Sequence, residues 1–210
     1  MDRDRWHGWC WKPSVAVVDV NWQPYRDRGR WLHSDHGWYW QSDYRWGWAA
    51  FHYGRWFADP IYGWCWYPDT VWGLSWVTWR TSGTYVGWAP LPPYSYYRPG
   101  VGFIYRDRHV SFSFGFGLSY SSYSWCGYRN LCRPNVYRYC EPRHRYRHHH
   151  HNSTVVNNYV VGDNNVINNN RLVQTGRERI DVRGGQLLND STWFDHGVPY
   201  ALSTDLVVGG

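Results

Sequence analysis

Several common side chains are nearly missing from this 210-residue sequence: Lys12 is the only lysine, Met1 the only methionine, and Glu141 and Glu178 the only glutamates. Leucine and isoleucine are scarce as well, which excludes an aliphatic core and leaves one built from rings, large surfaces that prefer offset or edge-to-face packing. Apolar residues at i, i+3, i+4 and i+7 never persist, so no amphipathic helix is expected. No run of about 18 apolar residues is present, which excludes a transmembrane helix. Met1-Asp2-Arg3-Asp4-Arg5 leads into polar and aromatic sequence without the apolar stretch of a signal peptide, so an exported form would be a processed one.

The five cysteines (Cys10, Cys65, Cys126, Cys132, Cys140) form no CxxC pair, and Cys126-x5-Cys132-x7-Cys140 does not match common zinc spacings. In an oxidising compartment five thiols imply two disulfides and one spare, which could link subunits. Cys126, Cys132 and Cys140 are expected to take part, but the pairing stays open. Catalytic constellations are missing too. Asp19, Asp35, Asp43, Asp59 and Asp69 sit at turn signals, where carboxylates accept backbone hydrogen bonds. His33 and His52 read as packing residues beside tryptophans. Four adjacent imidazoles, His148 to His151, cannot converge on one metal from a strand and read as a flexible or surface tract. These observations predict a protein that is not an enzyme and needs no cofactor or metal.

What the chain has instead is tryptophan: 18 residues, with 16 between Trp6 and Trp88. They fall into a repeat. Gly29-Arg30-Trp31, Gly37-Trp38-Tyr39-Trp40 and Trp46-Gly47 recur as Gly54-Arg55-Trp56, Gly63-Trp64-Cys65-Trp66 and Trp72-Gly73, at offsets of 25, 26 and 26 residues. Of the 22 basic residues 21 are arginine, the cation that stacks on rings, so the +6 net charge reads first as ring-stacking chemistry and second as attraction for an anionic partner.

The expected fold class is all-β: tryptophan-rich β-hairpin repeats followed by further sheet and an Asn/Val-rich β segment. Three regions are expected, at 1–93, 94–140 and 141–210. In the first, a tight turn centred on His36-Gly37 pairs Trp38 with Asp35, Trp40 with His33 and Trp31 with Ser42. That arrangement collects Trp31, His33, Trp38 and Trp40 on one face, with Arg30, Leu32, Tyr39 and Gln41 on the other. Trp56, Trp64 and Trp66 repeat this around a longer turn at 59–63. Between the two hairpins Trp46, Trp48, Ala50, His52, Gly54 and Trp56 share strand parity. A degraded third unit at 83–88 runs into the Pro-rich stop at 89–93.

In the second region Phe112, Phe114, Phe116, Leu118 and Tyr120 alternate with Ser111, Ser113, Gly115, Gly117 and Ser119. A strand there would show a smooth small-residue face for another sheet or subunit. In the third region eight asparagines between Asn152 and Asn170 alternate with Val-Val and Val-Ile pairs, a pattern of short strands in which Asn157, Asn158, Asn164 and Asn165 could ladder between stacked backbones. Further strands are expected at 178–182 and 205–208.

Trp22-Gln23-Pro24-Tyr25, Gly29-Arg30-Trp31, Gly37-Trp38-Tyr39-Trp40, Trp46-Gly47-Trp48-Ala49, His52-Tyr53-Gly54-Arg55-Trp56 and the closing Tyr85-Val86-Gly87-Trp88-Ala89-Pro90-Leu91-Pro92-Pro93 resemble a family of Trp-rich repeat proteins exported by environmental bacteria. The resemblance covers residues 20–93, with a weaker likeness at Thr175-Gly176-Arg177. It implies a secreted or cell-surface setting and transfers no functional residues. Cys65 stands where the family pattern has an ordinary strand residue.

Two functions follow as expectations. The first is a structural protein that self-assembles into an extracellular fibre, surface layer or matrix, with Ser111, Ser113, Gly115, Gly117, Asn157, Asn158, Asn164 and Asn165 as assembly residues. The second is a carbohydrate-binding envelope module that offers Trp38, Trp40, Trp64 and Trp66 as an aromatic platform. The partners are therefore further copies of the chain or a polysaccharide. Aspartates interleaved with the arginines, together with export, argue against nucleic acid.

Overall fold

Each tryptophan repeat closes into an antiparallel hairpin with one pair of tryptophans directly opposite across the ladder. The computed structural model describes residues 10–34, 37–98 and 101–156, and the backbone of short strands at 159–162, 165–168, 179–180, 182–183 and 186–187. Strands β1 (Gly29–Ser34) and β2 (Gly37–Ser42) oppose Trp31 and Trp40. Strands β3 (Arg55–Asp59) and β4 (Gly63–Tyr67) oppose Trp56 and Trp66. Strands β5 (Val77–Ser82) and β6 (Tyr85–Pro90) oppose Trp79 and Trp88. All six indoles are buried in one aromatic core.

The repeat's glycines have a steric reason. A Cβ on Gly29 would lie 2.5 Å from the Trp40 ring, and one on Gly54 would lie 2.7 Å from the Trp66 indole nitrogen. The glycine of each Gly-Arg-Trp thus leaves room for the second tryptophan of its own hairpin. The longer turn forms as expected, with Asp59 Oδ1 accepting from the backbone N–H groups of Ile61 and Tyr62 at 2.7 and 2.8 Å. Asp19 and Asp69 serve their own turns in the same way.

The first hairpin corrects the expected register. Trp31 lies opposite Trp40 and His33 opposite Trp38, while Gly37 pairs with Ser34 rather than forming the turn centre. The shift is two residues, so side-chain parity is kept and the expected faces survive. Both faces are covered. Trp31, Trp38 and Trp40 enter the main core, whereas Leu32 and Tyr39 pack with Trp72 and Leu74 behind it.

A strand through 46–52 is also corrected. Gly47–Ala50 is a short helical turn, held by Ala50 N–H to Trp46 O and Phe51 N–H to Gly47 O. Turning the chain there sends Ala50 and Phe51 into the core, with Trp46 packed against it, which an extended segment could not do. Among the described residues helix is otherwise confined to short pieces such as Ser14–Val18.

The core is wired through one tyrosine. Tyr25 stacks on Trp31 with centroids 6.0 Å apart, donates its hydroxyl to Phe51 O at 2.7 Å and accepts from Trp76 N–H. Its carbonyl takes the Trp88 indole N–H at 2.7 Å. Other buried indoles also end on backbone carbonyls: Trp56 on Ala50 O, Trp66 on Tyr53 O and Trp76 on His52 O, all within 2.9 Å. The N–H groups of Trp31, Trp40 and Trp125 have no oxygen or nitrogen acceptor among the described residues and sit among rings.

The later regions pack on the hairpins. Strands β7 (Ser95–Arg98), β8 (Gly102–Tyr105) and β9 (Arg108–Val110) form a separate antiparallel meander. Strand β10 (Ser124–Gly127) pairs with β6, and β11 (Thr154–Val155) pairs with β5. The boundaries at 93 and 140 therefore mark changes in composition, and packing runs across both. In the four-stranded sheet Trp79 and Trp88 face the main core, while Ala89 on the other face packs with Tyr123, Trp125 and Tyr146. Asn/Val strands occur as an antiparallel pair, β12 (Tyr159–Gly162) with β13 (Asn165–Asn168). Asn165 opens β13, whereas Asn157, Asn158 and Asn164, like the expected strand at 205–208, lie outside the described residues.

Candidate functional site

The expected platform is not on the surface. Trp38, Trp40 and Trp66 are 1%, 0% and 4% exposed, and only Trp64 is half-buried. Their faces are taken by neighbouring rings, such as Trp31 on Trp40 at 5.1 Å and Trp79 on Trp38 at 5.9 Å. None of these three buried rings offers a face to a sugar.

The small-residue strand face is absent as well. Residues 111–119 form two successive turns, closed by Phe114 N–H to Ser111 O and Leu118 N–H to Gly115 O, with Phe116 and Gly117 both at positive φ, 55° and 66°. Ser111, Ser113, Gly115 and Gly117 therefore present no common sheet face. Phe116 instead tucks edge-on against Phe103 and Tyr105, and Phe112 and Phe114 are left 52% and 36% exposed.

Those turns wall a groove of about 640 Å³, lined by Tyr105, Arg106, Arg108, His109, Ser111 and Phe114 among others. The Arg106 guanidinium lies 5.4 Å from the Tyr105 ring centre, and Phe114 lies 5.9 Å from the same ring. Arg108 and His109 are exposed on β9. The groove combines flat apolar faces with positive charge, and Asp107 is the carboxylate beside it in the chain. It offers recognition of a ring-shaped or anionic group.

The histidine tract, expected to be flexible or at the surface, is helical and only partly at the surface, with His148 and His151 exposed and His149 buried. Tyr146–His151 is a short α-helix. Residues i and i+3 share a helix face, and this turns Tyr146 and His149 inward. His149 stacks on Trp125 at 5.3 Å and meets Tyr85 at 4.4 Å, while its Nε2 lies 3.8 Å from Glu141 Oε2. His150 packs edge-on to Tyr123. Burial lowers the proton affinity of both imidazoles, and Glu141 partly offsets this at His149. The Tyr-x-x-His spacing carried this signal in the sequence.

His52 has the packing role expected of it. It is sandwiched between Tyr39 at 4.6 Å and Trp72 at 5.8 Å, and its Nδ1–H donates to Gly73 O at 2.9 Å, the tautomer a carbonyl acceptor requires. Burial lowers its pKa to about 4. Arg55 is just as buried, at 2%. Its guanidinium lies 3.4 Å from the Trp76 ring centre and donates to Ser95 O and Gly54 O. Arg30, at the same place in the first repeat, bonds Gln41 Oε1 at 2.7 Å on a partly exposed face.

All five cysteines are thiols. They form two groups: Cys10 close enough to Cys65 to raise its proton affinity, and Cys126 near both Cys132 and Cys140. Among the described residues no group of three or more His, Cys, Asp or Glu could hold a metal ion, and no helix is long and apolar enough to cross a membrane.

Residues 2–95 match a family of unknown function (DUF6600), a span that contains all three tryptophan hairpins. No curated protein and no solved structure matches the chain.

Proposed function

We propose that this chain is an exported, non-catalytic structural protein that self-associates through the aromatic surface of residues 94–120. The observation that carries this reading is a division of labour among rings. The tryptophans opposed across the hairpin ladders are consumed by the core, whereas four of the seven exposed tyrosines and phenylalanines, Tyr94, Phe112, Phe114 and Tyr120, fall within residues 94–120, a segment that also carries the exposed Arg106 and Arg108. Exposed apolar groups concentrated in one region mark interaction sites. Interfaces favour Tyr, Phe and Arg over Lys and Glu, which is the balance of this chain.

Sedimentation velocity of the full chain over a wide concentration range, with electron microscopy of the concentrated sample, tests the reading. Concentration-dependent growth into regular assemblies is expected, weakened by Phe112→Ser together with Phe114→Ser. A monodisperse monomer at the highest concentration overturns it.

A second reading rests on the groove itself: Tyr105, Phe114, Arg106 and Arg108 suit an acidic polysaccharide. Titration with an acidic and a neutral polysaccharide separates the two readings, since only the second expects saturable binding to the acidic polymer that Arg108→Ala abolishes.

A further inference from the structure

We propose that the helix Tyr146–His151 is an acid-released latch, undocked from the outer face of the four-stranded sheet when His149 and His150 take up protons. Tyr146 and His149 face inward and are 2% and 7% exposed. They cover the side of the sheet opposite the main core, where Ala89, Tyr123, Trp125 and Tyr146 form their own cluster. Both ends of the segment are tied down. Glu141 N–H donates to Trp125 O at 2.7 Å, and the Arg80 guanidinium donates to Ser153 Oγ at 2.7 Å beside the pairing of β11 with β5. The helix can therefore leave the sheet as a loop between two anchors, with the hairpins intact.

Each imidazole meets rings of the sheet and has an arginine close by. His149 stacks on Trp125 at 5.3 Å, meets Tyr85 of β6 at 4.4 Å and lies 5.9 Å from His148 on its own helix. Its Nε2 is buried without a hydrogen-bond partner among the described residues, 3.8 Å from Glu141 Oε2. That oxygen already accepts from Arg145 at 3.1 Å, so a proton on His149 would put two cations on one carboxylate oxygen. His150 packs edge-on to Tyr123 at 5.1 Å, and the Arg80 guanidinium of β5 lies 5.7 Å from the centre of the same ring. The His150 Nε2 is also buried and unpartnered among the described residues. Arg80 and His151 oppose a proton on His150, and the Leu118 carbonyl favours one.

A neutral imidazole can stay in such a site, but a charged one is costly there unless it gains a partner of its own. With the helix undocked, both rings stand in water and titrate near 6.5. With it docked, burial lowers the proton affinity of both; Glu141 offsets part of this at His149, and Arg80 adds to it at His150. The docked state thus binds fewer protons, so docking is complete above about pH 6.5 and weakens as the pH falls below it. Release bares Tyr123 and Trp125, each 0% exposed with the helix in place.

The test is NMR of the full chain at low concentration between about pH 8 and about pH 5, following histidine ring shifts and the solvent exchange of two indole N–H groups. Trp125 lies under the helix, whereas Trp88, bonded to Tyr25 O, reports on the hairpin core. After correction for the intrinsic pH dependence of exchange, the Trp125 indole should speed up below about pH 6.5 while Trp88 stays slow. Glu141→Gln should move the release to higher pH and Arg145→Gln to lower pH, opposite shifts that a loss of packing alone does not give. A Trp125 indole still protected at about pH 5, one that speeds up together with Trp88, or two variants that shift the release in the same direction overturns the inference. The readout needs no second copy of the chain, so a failure of self-association leaves this result standing, and the reverse also holds.

Discussion

Along β5 and β6 each large side chain has a partner strand beside it, and both faces of the pair are covered; between Ser111 and Ser119 the chain pairs with no described strand, and a comparable alternation closes into turns. Trp79 faces Trp88 across the ladder at 6.0 Å, lies 4.7 Å from Trp31, and has Ala89 and Trp125 packed on the other side of the sheet. Phe112, Phe114 and Phe116 alternate as regularly, but only Phe116 is buried. A period of two fits a strand only where a neighbour supplies the ladder, and the opposed tryptophan pair supplies it in the hairpins.

The largest expected effect on this contrast comes from removing one ring on each side. Trp79→Ala should cost about 3–5 kcal/mol, the usual range for emptying a large aromatic site in a core. Phe112→Ala should stay within about 0.5 kcal/mol, as surface changes do. Chemical denaturation of the two variants measures both, and equal losses would erase the distinction between the regions.

The next effect is pH-dependent and belongs to the hairpin side. The unfolded His52 imidazole takes up its proton near 6.5, but burial holds the folded one to about 4. The folded state therefore binds fewer protons in that window. Stability from this residue is complete above pH 6.5 and falls as the pH drops towards 4, by about 3 kcal/mol in all. Denaturation midpoints measured across that interval should fall steeply in the parent protein and less so in His52→Gln; parallel slopes would remove His52 as the cause.

A smaller loss is expected at Gly87, where an added Cβ would lie 2.6 Å from the Trp125 ring. Gly87→Ala should cost about 1–3 kcal/mol by overpacking, whereas Gly127→Ala, where a Cβ would meet nothing within 4 Å, should be nearly silent. Thermal melts of the pair sharpen the claim that the glycines make room for rings. The smallest stability effect, within about 0.5 kcal/mol, is expected for Phe112→Ser, which should act instead on sedimentation at high concentration.

The hairpins were legible because glycine, turn and ring spacing agree, and a register error of two residues left every face assignment intact. The turn at Gly47–Ala50 was hidden by a coincidental parity of Trp46, Trp48 and Ala50. Residues 111–119 misled because periodicity reports a side chain's alternation and carries no information about whether a partner strand is near. The exposed groove was not legible at all: Tyr105 and Phe114 meet only because the turns fold the second onto β8. The sequence shows arginine beside aromatic residues in both repeats, but burial separates Arg55 from Arg30, and burial is set by Trp76 and Ser95, 21 and 40 residues along the chain from Arg55.

The central claim is that the tryptophan repeat builds a core. Hydrogen exchange at assigned indole N–H groups, followed by NMR, tests it most directly. The indole protons of Trp56, Trp66, Trp76 and Trp88, bonded to the carbonyls of Ala50, Tyr53, His52 and Tyr25, should exchange as slowly as the best-protected backbone amides. Exchange of these four within the dead time of the measurement would contradict the account and return the tryptophans to the surface.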